Sequence, residues 1–304
     1  MFERNRELLI EKVDKRAFIR NIKFHMKADG TFDREGNLKL WNEVMADFER
    51  ISLTDYVKSY EDLDPLQENP YMVFIPGRTD MPTIVVAHGG GFYTRTGCEA
   101  GNVAHAFNQM GYNIAILSYR LSPYSRLDSL EDMQAAICYL REHASILSIG
   151  KEVIVMGFSA GAMLAANAAT LWTSQKMRPD AAVISYGAMS VVSYPMGFMH
   201  EADDMEKMLY GRTAEERYRL APEKHVDCDT PPMYIWQTLS DDGRYGMTLA
   251  KALADASVSY ELHIFDGGVH GMALADGEND LDMANDHVAH WAMMADEWIR
   301  EKVG

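Results

Sequence analysis

The sequence predicts an α/β protein in which a mostly parallel central sheet is flanked by helices on both faces. Three observations carry that expectation. From Tyr71 onward, short β-branched runs alternate with helical patterns. The runs are apolar almost throughout, and strands shielded on both faces by crossover helices read that way because no position faces water. The chain has 304 residues, 47% of them apolar and 24% charged, with no internal repeat or low-complexity segment. A chain of that size buries most of its surface, which excludes disordered, collagenous and disulfide-scaffold classes.

Taken in order, the first 60 residues differ from the rest. Arg6 to Phe24 (Leu8, Leu9, Val13, Phe18, Ile19) and Asn37 to Phe48 (Leu40, Trp41, Val44, Met45) have apolar residues at helical spacing, and turn-rich Asp29-Gly30-Thr31 and Asp33 to Gly36 separate them. Residues 1–60 are therefore expected as an N-terminal helical cap segment over an α/β domain of residues 61–304. Strands are expected at Tyr71 to Ile75, Thr83 to Ala87, Asn113 to Ser118, Glu152 to Met156, Ala182 to Ser185, Met233 to Trp236 and Tyr260 to Phe265. Helices are expected at Leu130 to Leu147, Ala160 to Trp172 and Met247 to Ala256. A helical insertion near 189–219 breaks the alternation. Its Met189, Met196, Met199, Met205 and Met208 suit either packing onto the core or an adaptable apolar pocket. The last helix is expected from Asp280 to Lys302, with Leu281, Met283, Val288, Trp291, Met294 and Trp298 on its apolar side. The acidic start Asp276 to Asp286 complements the helix dipole and lacks the spacing of a calcium loop.

The 29 Lys and Arg against 45 Asp and Glu give a formal charge of −16, which opposes contact with nucleic acid or anionic lipid. Met1 to Arg20 carries charges too often for a secretory signal, and no apolar stretch is long enough to span a bilayer. Three cysteines without CxxC spacing, Cys98, Cys138 and Cys228, fit reduced thiols, each a small buried hydrophobe, and a cytoplasmic protein. His287 and His290 have a spacing that could share a metal, but no third ligand accompanies them, so no metal is expected.

The chemistry-bearing residues lie where strands end, which is where such sheets bind ligands. Val153 to Met156 runs into Gly157-Phe158-Ser159-Ala160-Gly161 and then an Ala-rich helix. A GxSxG turn between strand and helix holds a serine on a sharp bend at the positive helix end. The pentapeptide alone arises by chance in about one chain in ten of this length, so its placement carries the signal. Upstream, Ile84 to Ala87 leads into His88-Gly89-Gly90-Gly91-Phe92, whose bare backbone N–H groups can form an oxyanion hole. Neither the Lys-Ser/Thr ending of a phosphate loop nor GxGxxG is present. A serine needs a base and the base an orienting acid, in the chain order Ser, acid, His. His270, in the loop Phe265-Asp266-Gly267-Gly268-Val269-His270-Gly271, is the candidate base. Asp241, after the strand at 233–236, is the preferred acid, with Asp242 the alternative.

Together, His88 to Phe92, Ser118 to Pro123, Leu130-Glu131-Asp132, Gly157 to Gly161, Asp227 to Pro232 and Phe265 to Gly271 resemble the α/β-hydrolase serine esterases. Within that fold they resemble hormone-sensitive-lipase-like carboxylesterases and, more closely, bacterial acetyl-esterase and xylan-esterase-like enzymes, over about Tyr71 to Leu274. The chain departs from them at Phe158, where relatives commonly have Asp, and at Ser240-Asp241-Asp242 followed by Gly243-Arg244-Tyr245-Gly246. The resemblance implies an α/β-hydrolase fold with a helical cap. It also implies Ser159 as nucleophile, His270 as base, Asp241 as orienter, and the N–H groups of Gly90, Gly91 and Ala160 as oxyanion hole. The expected activity is hydrolysis of a small carboxylic ester with an acetyl or other short acyl group on an alcohol or sugar, without a cofactor. An amide hydrolase of the same fold, of arylformamidase or prolyl-oligopeptidase type, and a non-catalytic binding protein are the alternatives. A homo-oligomer stays open.

Overall fold

A computed structural model describes residues 2–16, 18, 27, 29, 33–58, 60–79, 81–190, 192–193 and 204–303. Eight strands form one sheet: β1 (Arg50–Ser52), β2 (Tyr71–Ile75), β3 (Thr83–Ala87), β4 (Asn113–Ser118), β5 (Val153–Phe158), β6 (Ala181–Ser185), β7 (Met233–Thr238) and β8 (Tyr260–Phe265). Their order across the sheet is β1-β2-β4-β3-β5-β6-β7-β8. The β1–β2 and β2–β4 pairs are antiparallel and the others parallel, with Ala87 opposite Gly157 and Phe158 opposite Ser185. Every residue of β2 through β7 is buried, as expected for strands covered on both sides.

Alternation along the strands divides the core into two layers. Val73, Ile84, Val86, Ile116, Met156, Val183 and Trp236 point to one face and join α1 (Glu3–Asp14), α2 (Arg34–Met45), α3 (Val103–Gln109) and α10 (Asp286–Val303). Met72, Phe74, Val85, Leu117, Val155, Ile184 and Ile235 point to the other. There they meet α4 (Arg126–Glu142), α6 (Ala160–Thr170) and α9 (Arg244–Asp255). Shorter helices are α5 (Ala144–Leu147), α7 (Asp204–Tyr210) and α8 (Ala214–Arg219). A capping box in which Ser125 and Asp128 satisfy each other's backbone N–H groups starts α4.

The first 60 residues contribute both helices and an edge strand. Asn5 donates to Phe74 O at 2.9 Å and to Glu49 O at 3.0 Å, fastening α1 over β2. The expected helix to Phe24 ends at Asp14, and Ile19 to Phe24 lie outside the described residues. Strand β1 was not expected, because three residues that include Arg50 and Ser52 carry no strand pattern of their own. Of the Met-rich insertion, Met196 and Met199 lie outside the described residues, while Met189 is buried.

Two expectations are corrected. The final helix begins at Asp286 rather than Asp280, because Asn279 and Asn285 compete for the backbone before it. Asn279 accepts from the N–H groups of Leu281 and Met283, and Asn285 accepts from those of His287 and Val288, an N-cap geometry. Leu281 and Met283 are therefore loop residues, 46% and 43% exposed. Of the cysteines, only Cys98 is buried; Cys138 is half-buried and Cys228 exposed, all three as free thiols. No helix among the described residues is long and apolar enough to cross a membrane.

Candidate active site

At the end of β5, Ser159 has φ 52° and ψ −117°, a conformation that a residue with a Cβ adopts only when its surroundings impose it. Here they do. Ser159 N–H donates to Ser185 O at 3.0 Å, while Ala162 N–H donates to Ser159 O at 3.0 Å and so starts α6. The two flanking glycines are required by close backbone approach. A Cβ on Gly157 would stand 1.9 Å from Gly161 O, and one on Gly161 would stand 2.1 Å from Ala87 O.

Ser159 Oγ lies 2.8 Å from His270 Nε2, and His270 Nδ1 lies 2.5 Å from Asp241 Oδ1. Asp241, 8% exposed at its side chain, also accepts from Thr238 Oγ1 at 3.1 Å. Asp242 takes no part in this chain; it has φ 57° and pairs with Arg244 Nε at 2.6 Å. The imidazole therefore has a carboxylate on one nitrogen and a hydroxyl on the other, the arrangement needed to take a proton from that hydroxyl. The surrounding protein disfavours a charged imidazole, but the hydrogen bond and charge of Asp241, joined by the charge of Glu99, outweigh it and hold His270 above its ordinary value.

The glycine loop after β3 forms the other wall. Gly90 and Gly91 have φ of 105° and 65°, which suits glycine. A Cβ at Gly90 would meet Thr94 O at 2.2 Å, whereas one at Gly91 would meet nothing within 4 Å. Gly91 thus faces open space. His88 is a support rather than a proton carrier: it is fully buried, stacks on Tyr119 at 4.4 Å and bonds through Nδ1 to Gly89 O at 2.6 Å. Burial pushes it well below the usual imidazole range, so it stays neutral. Helix α2 braces the loop from outside, with Asn37 donating to Thr94 Oγ1 and Arg95 O, and Arg34 Nε donating to Tyr93 O at 2.9 Å.

Gly90, Gly91, Ser159, Ala160 and His270 line one cavity of about 670 Å³, whose remaining wall includes Met163, Met208, Leu209 and Leu281. A second cavity of about 510 Å³ shares Tyr93 and Met208 with it and is lined by Ser122, Ser125, Arg126, Lys207 and Arg212. The buried Phe158, Tyr186, Trp236 and Trp291 stand beneath the site, with Trp236 stacked on Trp291 at 4.9 Å and Tyr186 edge-on to His270 at 5.2 Å. Among the described residues, no group of three His, Cys, Asp or Glu is arranged to hold a metal.

Sequence reading missed two residues of this site. Glu99 is buried in a single π-turn (Cys98–Asn102), and Tyr186 follows β6. The one available signal was an acidic residue inside the otherwise uncharged stretch from Cys98 to Phe107.

Comparison with known proteins places this geometry in context. The BD-FAE family profile matches residues 73–243. Endo-1,4-beta-xylanase B of Butyrivibrio fibrisolvens is 29% identical over 214 residues, covering 64% of this chain and 33% of that protein. The acetyl esterase of Salmonella typhi is 29% identical over 195 residues, covering 57% of this chain and 60% of that enzyme. The chain thus spans a third and three fifths of these two relatives. Among solved structures, an acetyl ester-xyloside bifunctional hydrolase from Caldicellulosiruptor lactoaceticus is 28% identical with a TM-score of 0.72, covering 83% of this chain and 96% of that one. A carboxylesterase from Lactobacillus plantarum shares the fold at 22% identity, TM-score 0.65, covering 76% and 92%. The sheet and its flanking helices are those of an α/β hydrolase.

Proposed function

Because the chain belongs to the BD-FAE family, we propose that it is a carboxylic ester hydrolase that cleaves short-acyl esters through an acyl-enzyme on Ser159. The observation that carries this reading is the continuous hydrogen-bonded chain from Ser159 Oγ through His270 to Asp241. His270 takes the hydroxyl proton as Ser159 attacks the carbonyl carbon, and Asp241 holds the ring in the tautomer whose Nε2 can accept it. Charge developing on the carbonyl oxygen meets the N–H groups of Gly90, Gly91 and Ala160. Losing one such donor typically costs about 2.7–4 kcal/mol of transition-state stabilisation. His270 then returns its proton to the leaving alcohol, and water repeats the sequence to release the acid.

An acetyl group on a sugar is the substrate best supported. The acetyl esterase relative supports the acetyl group, and the acetyl ester-xyloside hydrolase supports both the acetyl group and the sugar. The neighbouring cavity offers hydroxyl and cationic groups to an alcohol bearing several hydroxyls. Helix α7, through Met208 and Leu209, acts as the cap that sizes the cavity, while α2, through Arg34 and Asn37, braces the glycine loop that forms its other wall.

Hydrolysis of p-nitrophenyl esters from C2 to C12, beside a p-nitroanilide, tests this. Turnover should peak at C2 to C4 and fall by several orders of magnitude in Ser159→Ala and His270→Ala. Asp241→Asn should cost about 10⁴-fold in kcat and Asp242→Asn little. A wild-type rate no higher than that of the two alanine variants would refute the enzyme, a maximum at C8 or longer the short-acyl reading, and preference for the anilide the ester reading.

A further inference from the structure

Glu99 sits behind the glycine loop and takes no part in the proton transfers just described, yet it contacts three separate parts of the site. Its Oε2 accepts from Gly89 N–H at 2.8 Å and from the hydroxyl of Thr96, and its Oε1 accepts from Tyr186 Oη–H at 2.7 Å. Tyr186 Oη in turn accepts from Ala273 N–H at 3.1 Å, and Trp291 Nε1 donates to Ala273 O at 2.9 Å. Ala273 belongs to the same loop as His270. One buried carboxylate, 2% exposed, therefore ties the loop that carries the oxyanion donors to the loop that carries the base. Only glycine at position 89 leaves room for this carboxylate, since a Cβ there would stand 2.2 Å from Glu99 Oε2 and 3.0 Å from Ser159 Cβ.

We propose that Glu99 and Tyr186 form a positioning pair that fixes the glycine loop and the His270 loop to one another and sets a second negative charge against the imidazolium formed during the reaction. The proposal rests on the serine-hydrolase reading above. A carboxylate beside a developing oxyanion is unfavourable, so its place here needs a compensating role. Two of its donors, Gly89 N–H and the Thr96 hydroxyl, occupy Oε2 on the side of the glycine loop, and a carboxylate in this place favours a protonated base. The charged and titratable groups that face His270 are Asp241 from the loop after β7, Glu99 from the π-turn, Tyr186 after β6, and Asp280, which lines the same cavity. Burial and the neighbouring Glu99 push the Tyr186 phenol well above its usual range, so it remains a donor.

The test compares wild type, Glu99→Gln and Tyr186→Phe by kcat/KM against pH with p-nitrophenyl acetate and by NMR titration of the His270 ring, which needs no turnover. An amide cannot accept on both sides, so Glu99→Gln loses one bond as well as the charge. It should lower the His270 titration and the acid limb by about half a unit or more, and kcat by about tenfold or more with KM little changed. Tyr186→Phe keeps the charge, so its titration should stay near wild type while kcat falls about tenfold. A His270 titration that does not move in Glu99→Gln overturns the proposal, whatever happens to kcat. If Glu99→Gln does not fold, Tyr186→Phe decides: an unchanged kcat overturns the pair. A wild type without esterase activity would instead refute the enzyme reading, and the NMR arm would still judge the pair.

Discussion

At the scale of single residues, the site depends on side chains held in conformations that sequence pattern alone only half reveals. That Ser159 and His270 would meet was legible because glycines flank both residues: Gly157 and Gly161 are excluded from bearing side chains by backbone oxygens of neighbouring elements. The choice between Asp241 and Asp242 was not, because adjacent residues differ only in direction, and that direction is set by the φ of 57° at Asp242. The raised titration of His270 has two opposite consequences with pH. In the proposed reaction His270 must be neutral to accept the serine proton, so kcat/KM should fall as pH drops, with its acid limb centred above the ordinary value of 6.5. Stability runs the other way: a histidine whose native pKa is raised stabilises the fold fully below the unfolded value and loses that contribution as pH rises through the native one. Buried His88, held below its ordinary value, has the reverse effect on stability below about pH 6.5, so it is from pH 6.5 upward that a rate profile and a denaturation series should slope oppositely.

Among the elements, seven strands were legible because their runs are apolar and β-branched, whereas β1 exists only through pairing with Tyr71 to Val73. The start of α10 was misplaced because Leu281 and Met283 fit a helical stripe, though Asn285 marks the true cap. The corner between β4 and α4 shows what the stretches around Arg120 and Asp132 do. Arg120 Nε donates to Asp132 Oδ1 at 2.9 Å, and Arg120 N–H donates to Asp132 Oδ2 at 2.8 Å, with both side chains buried. Arg120 also donates to Glu131 Oε2 at 3.1 Å, so it is not left unpaired in Asp132→Asn; that change should lower stability by about 1.5–3 kcal/mol, the loss of a charge-assisted hydrogen bond, and an Asp132→Ala, Glu131→Ala double variant should cost more. Denaturation midpoints of the single and double variants measure the difference.

For the whole molecule, the formal charge of −16 acts on any charged substrate before contact. Raising ionic strength from about 10 mM to about 150 mM shortens the screening length from roughly 30 to 8 Å. The kcat/KM for an anionic ester should rise over that range, while that for a neutral ester of equal size stays level; equal responses would remove the field of the molecule from the account of selectivity. The aromatic column beneath the site carries a consequence of a different kind. Trp291 is bonded to Ala273 in the His270 loop and stacked on Trp236, and Tyr186 lies against both Trp236 and the imidazole. Movement of that loop must change the surroundings of a buried indole, so the protein holds a built-in optical probe. Its ultraviolet emission can be followed in stopped flow while an ester turns over, without attaching a dye.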